Sequence, residues 1–513
     1  MKLPRHVIRI FMTGLLLCTS CTKLEEGSSR KQPNFLFIIT DDQSPYTLSA
    51  YGNEVCQTPN LDRLANEGIT LDAAHHMGSW SGAVCRPSRT MVQTSFNVWR
   101  TMGLLTPRER MNPDTYVHQP KRLMAQMTTD DPNYYSMPAV FNRAGYVTFR
   151  TCKIENTYEG ANRLYTERND ATKRGNTEET GSWWHGEQVM DFLKKRENSS
   201  EKDPFLIFYG FSHPHDPRNG KPGLLAKYGA VNEDVPLISS SQAPPLPANY
   251  LPAHPFHHGH PGLRDEERVQ GVMLKRDEVT IRNELGREYA CIEDIDAQIG
   301  AVLDQLAKTG ELDNTYILFT ADHGIAVGRH GLMGKQNLYE HTWRVPFIAK
   351  GPGIIAGSRA PGNVYLMDIL PTLCDLAGIE QADSMDGLSF KQVLLGEKET
   401  VRNVMYGTYS GGTKPGMRSV KKGKWKLIKY DVLDGSVQKT QLFNLNENPD
   451  EFLIQHHDPM VVALTGTNPK SHQINLADNP TYAEKRREME ALLLEEMKKW
   501  EDPHRLWDQP KDR

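Results

Sequence analysis

Three continuous apolar runs, each ending in a cluster of acids and histidines, constrain this chain more than any other feature. Asn34-Phe-Leu-Phe-Ile-Ile-Thr40 runs into Asp41-Asp42, and Pro204-Phe-Leu-Ile-Phe-Tyr-Gly-Phe211 into Ser212-His213-Pro-His215-Asp216. Thr315-Tyr-Ile-Leu-Phe-Thr320 runs into Ala321-Asp322-His323-Gly324. Runs without polar alternation read as strands buried on both faces, as in parallel sheets covered by helices. An open α/β sheet builds its site along the C-terminal edge of such strands, so the three clusters are expected to converge.

Between them the spacing of Ile292, Ile295, Ile299, Val302, Leu303 and Leu306 predicts a core helix from Glu288 to Lys308, stopped by Gly310. Residues 214–265 are rich in Pro, Gly and His, including His254, His257, His258 and His260, and read as a long functional or mobile loop without regular metal-ligand spacing. From about Val401 short alternating segments (Met405–Tyr409, Met417–Val420, Lys424–Lys429 and Gln441–Leu445) predict an antiparallel sheet with turns at Lys422-Gly423 and Asp434-Gly435. A last helix, Tyr482 to Trp500, would pack through Met489, Leu492, Leu493 and Met497.

Cys85-Arg86-Pro87-Ser88-Arg89 carries the chemistry. Proline is tolerated in a first helical turn, so Cys85 should stand at a helix N-terminus, where free N–H groups and the dipole suit an anion and Arg86 and Arg89 add charge. Asp41, Asp42 and Asp322 supply hard oxygen ligands for a divalent cation, and His323 adds a ring nitrogen beside them.

Cys-x-Pro-Ser-Arg is similar to the signature of the formylglycine-dependent (type I) sulfatases of the alkaline-phosphatase-like superfamily. The following Val92-Gln93-Thr94-Ser95 departs from the usual Leu-x-Thr-Gly. Further segments resemble the bacterial carbohydrate sulfatases: His213-Pro-His215-Asp216-Pro-Arg218, the loop Leu246 to Phe256, and His330 to Pro346, which ends in Glu-x-x-x-Arg-Val-Pro.

The resemblance implies an alkaline-phosphatase-like sandwich: a large mixed, mostly parallel sheet flanked by helices, with a smaller C-terminal antiparallel subdomain. Catalytic and C-terminal parts are expected at 33–400 and 401–513. It further implies a sulfuric ester hydrolase whose Cys85 is oxidised to formylglycine (3-oxoalanine) by a formylglycine-generating enzyme. A covalent sulfate intermediate then forms, and its breakdown regenerates the aldehyde.

Residue by residue, the resemblance makes Asp41, Asp42, Cys85, Asp322 and His323 the metal site, for calcium rather than magnesium. Arg89, Lys153 and Lys335 become the cations facing sulfate, and His215 the proton donor to the leaving alcohol. His213, Asp216, Arg218 and His330 would touch a sulfated carbohydrate, although Asp216 and Arg218 could equally form a local salt bridge. The family's second histidine is missing after Lys153, where Glu155 stands. Glu155 or a histidine such as His185 could take that role. A phosphodiester or phosphonate monoester hydrolase, or a non-catalytic glycan-binding lipoprotein, are the alternatives.

The 513-residue chain opens with a basic, then apolar segment ending at Cys21, and reads as a signal peptide over 1–20 with Cys21 acylated. That places the protein outside the cytoplasm, on the outer membrane through its lipid, with soluble secretion the alternative. A net charge of −4 with both signs mixed gives no sign of a nucleic-acid partner. Apart from Cys18, Cys21 and Cys85, the widely spaced Cys56, Cys152, Cys291 and Cys374 make neither a disulfide framework nor a zinc motif.

Overall fold

The strand Asn34–Thr40 is buried along its whole length because each of its faces meets a separate core. Phe35, Phe37 and Ile39 pack on one side with Phe141, Leu370 and Leu373, and Leu36 and Ile38 on the other with Val189, Ile295 and Ile299. It lies inside an eight-stranded sheet in a computed structural model that describes residues 32–104, 117–154, 157–171, 181–200, 202–257, 271–273, 275–412 and 414–510. The expected signal segment with Cys21, and Glu155, His258 and His260, fall outside these residues. Pro33–Arg513 form one unit. No helix among the described residues is long and apolar enough to cross a membrane.

Phe205–Gly210 and Thr315–Ala321 flank this strand in parallel, in register so that Ile39 lies opposite both Gly210 and Thr320. Val147–Thr151 and Glu167–Arg168 continue the sheet in parallel on one side. On the other side Phe347–Lys350 runs antiparallel to both its neighbours, making the sheet mixed, and Ile69–Leu71 and Ser358–Ala360 close it. The shared register brings all three polar clusters to one edge.

The core helix is longer than its apolar spacing predicts, spanning Glu278–Lys308. Asp277 caps it by accepting a 3.0 Å hydrogen bond from the Thr280 N–H. Its added turns carry Glu284 and Arg287, and with Glu288 at the predicted start these fully buried charged residues break the apolar rhythm.

The C-terminal sheet has the expected four antiparallel strands, Val404–Tyr409, Gly416–Lys422, Trp425–Val432 and Val437–Asn444. Its fifth comes from far upstream: Gly78–Ser79 pairs in parallel with Thr408 and Tyr409. Only glycine fits there, since Gly78 has φ 102° and a Cβ would stand 1.7 Å from the Thr408 carbonyl oxygen. The helix Ala483–Lys499 joins the same core through Met489, Leu493 and Met497, with Leu492 partly buried.

Candidate active site

Main-chain bonds lash the strand ends together. The Asp41 N–H donates to the His213 carbonyl (3.1 Å), the Gln43 N–H to the His323 carbonyl (3.0 Å), and the Asp42 N–H to Asp322 Oδ1 (3.2 Å). Asp42 has φ 64°, an uncommon conformation that short acidic side chains tolerate and that recurs at functional sites.

Cys85 opens the helix Cys85–Thr94 as expected, fully buried. Ser88 Oγ donates to the Asp322 carbonyl (2.6 Å), pinning the first turn to the strand end. Arg89, one turn beyond Cys85 and on its face, donates through Nε to Asp322 Oδ2 (2.8 Å) and through Nη2 to the Thr40 carbonyl (3.3 Å). Its Nη1 lies 2.9 Å from Cys152 Sγ.

The Cys85 sulfur lies 3.2 Å from His323 Nε2, 3.6 Å from Lys335 Nζ and 3.9 Å from Asp42 Oδ1. Lys335 Nζ also bonds both oxygens of Asp42 at 2.9 Å, while Lys153 pairs with Asp41. Burial opposes charge on the Cys85 thiol, yet Lys153 and Lys335 hold it well below the ordinary thiol range. Burial and the Asp41 charge push Asp322 up to about 6, against His323 and Arg89.

A cation fits this centre. The ligand atoms of Asp41, Cys85, Asp322 and His323 lie within 4.8 Å of one another, as do those of Asp41, Asp42, Cys85 and His215. Asp41 Oδ1 accepts no hydrogen bond from any described group, while its Oδ2 is paired with Lys153. His323 Nδ1 lies 3.0 Å from the Gly324 carbonyl, to which it can only donate; although burial opposes its charge, Asp322 and Asp42 push the ring up to about 9, so a cation among the acids would displace the Nε2 proton and take that lone pair. Three carboxylates are matched by Arg89, Lys153 and Lys335, so a divalent ion would leave the centre positive, the sign a sulfate requires.

His215 turns Nε2 toward Asp42 Oδ2 at 3.9 Å, and its Nδ1 lies 2.9 Å from both the carboxylate and the carbonyl of Asp216. Although burial disfavours its charge, Asp42 and Asp216 push its pKa up to about 10.

The remaining expected substrate contacts are arranged differently. Arg218 is wholly buried and pairs with Glu284 Oε2 at 3.2 Å, because a guanidinium removed from water needs a counter-charge. His213 turns its ring to Ser182 Oγ (3.1 Å) and lines a cavity of about 250 Å³ with Lys221, Cys291 and Asp294. His330 stacks on Tyr339 (centroids 3.9 Å apart, 7° between planes), with Nε2 2.9 Å from the Glu451 carbonyl. His185 spends both ring nitrogens on Thr151 Oγ1 (2.9 Å) and Ser212 Oγ (3.0 Å).

Glu284 and Glu288 escape the sequence reading. Glu288 has both oxygens unbonded by any described group, and burial, opposed by Arg218 and Arg329, raises its carboxyl to about 7. The signal was available: acids one turn apart on the buried side of an otherwise apolar helix.

The sulfatase family model matches residues 33–379, and that described as N-sulphoglucosamine sulphohydrolase, C-terminal, matches 328–492. The chain is similar to an N-acetylglucosamine-6-O-sulfatase of Bacteroides thetaiotaomicron, 24% identical over 95% of this chain and 90% of the relative. It is also similar to an ulvan-active sulfatase of Formosa agariphila, 24% identical over 94% and 82%. Among solved structures, a protein in complex with its substrate D-glucosamine-2-N,6-O-disulfate shares the fold at a TM-score of 0.64, with 22% identity over 92% of this chain and 99% of that one.

Proposed function

Since the chain belongs to the sulfatase family and is a sulfuric ester hydrolase, we propose that it removes sulfate from sulfated carbohydrates, with Cys85 as formylglycine and calcium held by Asp41, Asp42, Asp322 and His323. The observation that carries this reading is the fully buried Cys85 at a helix start, within 4 Å of Asp42, His323 and Lys335. The carbohydrate class is supported by the N-acetylglucosamine and ulvan sulfatases among the relatives.

When bound, the cation and the modified cysteine supply a polarised oxygen nucleophile for sulfur. The chain's own side chains do the rest. Lys335, Lys153 and Arg89 set fixed positive charge around Cys85, where the sulfuryl oxygens gain charge as the ester bond breaks. Asp216 fixes His215 through Nδ1, so the proton on Nε2 is the one available to the departing sugar oxygen. Export and a lipid at Cys21 complete the proposal, because sulfated polymers lie outside the cell.

The test joins three measurements. Peptide mass spectrometry of active enzyme should find formylglycine at Cys85. Elemental analysis should find calcium that Asp322→Asn loses. Desulfation assays should favour sulfated sugars over a chromogenic aryl sulfate. Full activity with an unmodified thiol, or preference for a phosphonate monoester over every sugar tried, overturns it.

A further inference from the structure

We propose that the edge of the C-terminal sheet carries a second carbohydrate site, a groove that holds a neutral stretch of the oligosaccharide whose sulfated unit is processed at Cys85. This deepens the function proposed above and rests on it. The groove, of about 560 Å³, follows the edge strand Val437–Asn444 and is walled by Phe256, Ile454, Asn475 and Trp507. That volume lies within the roughly 300–1,000 Å³ of small-ligand sites.

Its chemistry selects a sugar. Trp507, 37% exposed, donates its main-chain N–H to Asp431 Oδ2 (3.0 Å), which fixes its backbone, and the Lys429 ammonium lies 4.4 Å from its ring centre, which orients the indole as an aromatic platform. Half of the polar lining residues are amides: Gln438, Gln441, Gln455 and Asn475. Gln441 is only 2% exposed, and its Nε2 donates to Tyr339 Oη (2.9 Å), yet its Oε1 accepts no hydrogen bond from any described group. A buried acceptor without a donor is costly, and a sugar hydroxyl would satisfy it. Gln455 and Gln438 add exposed amides.

Two other occupants are disfavoured. A peptide strand would need the free edge of the sheet, but Asn475 already covers it, accepting from the Leu442 N–H (2.9 Å) and donating to the Thr440 carbonyl (3.1 Å). A polyanion would need a run of unmatched cations, whereas Arg486 pairs with Glu490 (3.0 Å) and Asp478 (3.6 Å), which leaves the exposed Lys439 as a single positive charge on that wall. Tyr339 ties the groove to the segment that carries Lys335.

The experiment measures kcat/KM on a ladder of oligosaccharides, monosaccharide to octasaccharide, each carrying one sulfate on its terminal unit and otherwise built of uncharged sugars, in a galactan and an N-acetyllactosamine series. Wild type, Trp507→Ala and Gln455→Ala are compared, the last a surface change that spares packing. In wild type, kcat/KM should rise with length. In the variants the octasaccharide-to-monosaccharide ratio should fall about tenfold for Trp507→Ala and less for Gln455→Ala. A ratio unchanged in both folded variants overturns the groove alone. So does a solution dimer that covers Trp507. If wild type desulfates no sugar of any length while cleaving aryl sulfate, the carbohydrate reading of the active site falls, and the groove with it.

Discussion

His215 shows how one residue's role is set by what holds it. Asp216 occupies Nδ1, so the ring can turn only Nε2 to the centre, and Asp42 and Asp216 keep it charged against the cost of burial, up to about 10. A donor of that kind stays protonated throughout the neutral range. His215→Ala should therefore lower kcat on a sugar sulfate by about 10²–10⁴ while KM changes little. An aryl sulfate, whose phenolate leaves without a proton, should lose far less, and steady-state kinetics on both substrates checks this. Equal losses would move His215 from proton donor to a purely electrostatic role. Arg218, three residues on, is positioned by a buried partner instead, although the two sit in one motif.

Among elements, the long helix Glu278–Lys308 does two jobs. Its C-terminal half is apolar core, packing Ile292, Ile295 and Ile299 against the sheet. Its N-terminal half brings Glu284 and Glu288 to Arg218 beneath the site, where charge replaces the apolar spacing from which a helix is read. The helix start is thus hidden from periodicity but marked by its cap. Asp277→Ala should cost about 1 kcal/mol. Urea denaturation should show this as a lower midpoint with an unchanged slope.

At the scale of the whole molecule, the catalytic and C-terminal layers meet around a group of buried histidines. His330 and His341 stack with Tyr339, His456 meets His330 edge-on at 5.2 Å, and His254 Nε2 lies 3.3 Å from Tyr339 Oη. Arg329, Lys426 and Glu340 act by charge on His341 and Arg276 on His254, while Glu451 offers His330 its main-chain carbonyl. Burial lowers all four histidines, His254 and His456 to about 4 and His330 and His341 further below their ordinary value. The unfolded chain, with histidines near 6.5, then binds protons first as pH falls. Stability is complete above about 6.5 and is lost from there down toward about 4, by at most about 1.4 kcal/mol per pH unit for each histidine. Urea midpoints at about pH 7 and about pH 5 should differ accordingly, and His341→Gln should flatten the difference. A midpoint that rises on acidification would show that the cluster gains protons on folding.

What the sequence by itself determined is local. Apolar runs specify buried strands, acids at their ends specify where chemistry gathers, and Cys85 before Pro87 specifies a helix start, because each depends on a residue and its near neighbours. These features pointed to one centre of Asp41, Asp42, Cys85, Arg89, His215, Asp322 and His323, to which the family resemblance added Lys153 and Lys335. Tertiary structure alone decided which polar side chains turn into that centre and which are spent on distant partners. Arg218 meets Glu284, His213 meets Ser182, and His185 bridges Thr151 and Ser212. The fifth strand of the C-terminal sheet, Gly78–Ser79, was decided in the same way. A buried charge or an unpaired strand edge must find a partner wherever the chain brings one, and sequence distance carries no record of which partner that is.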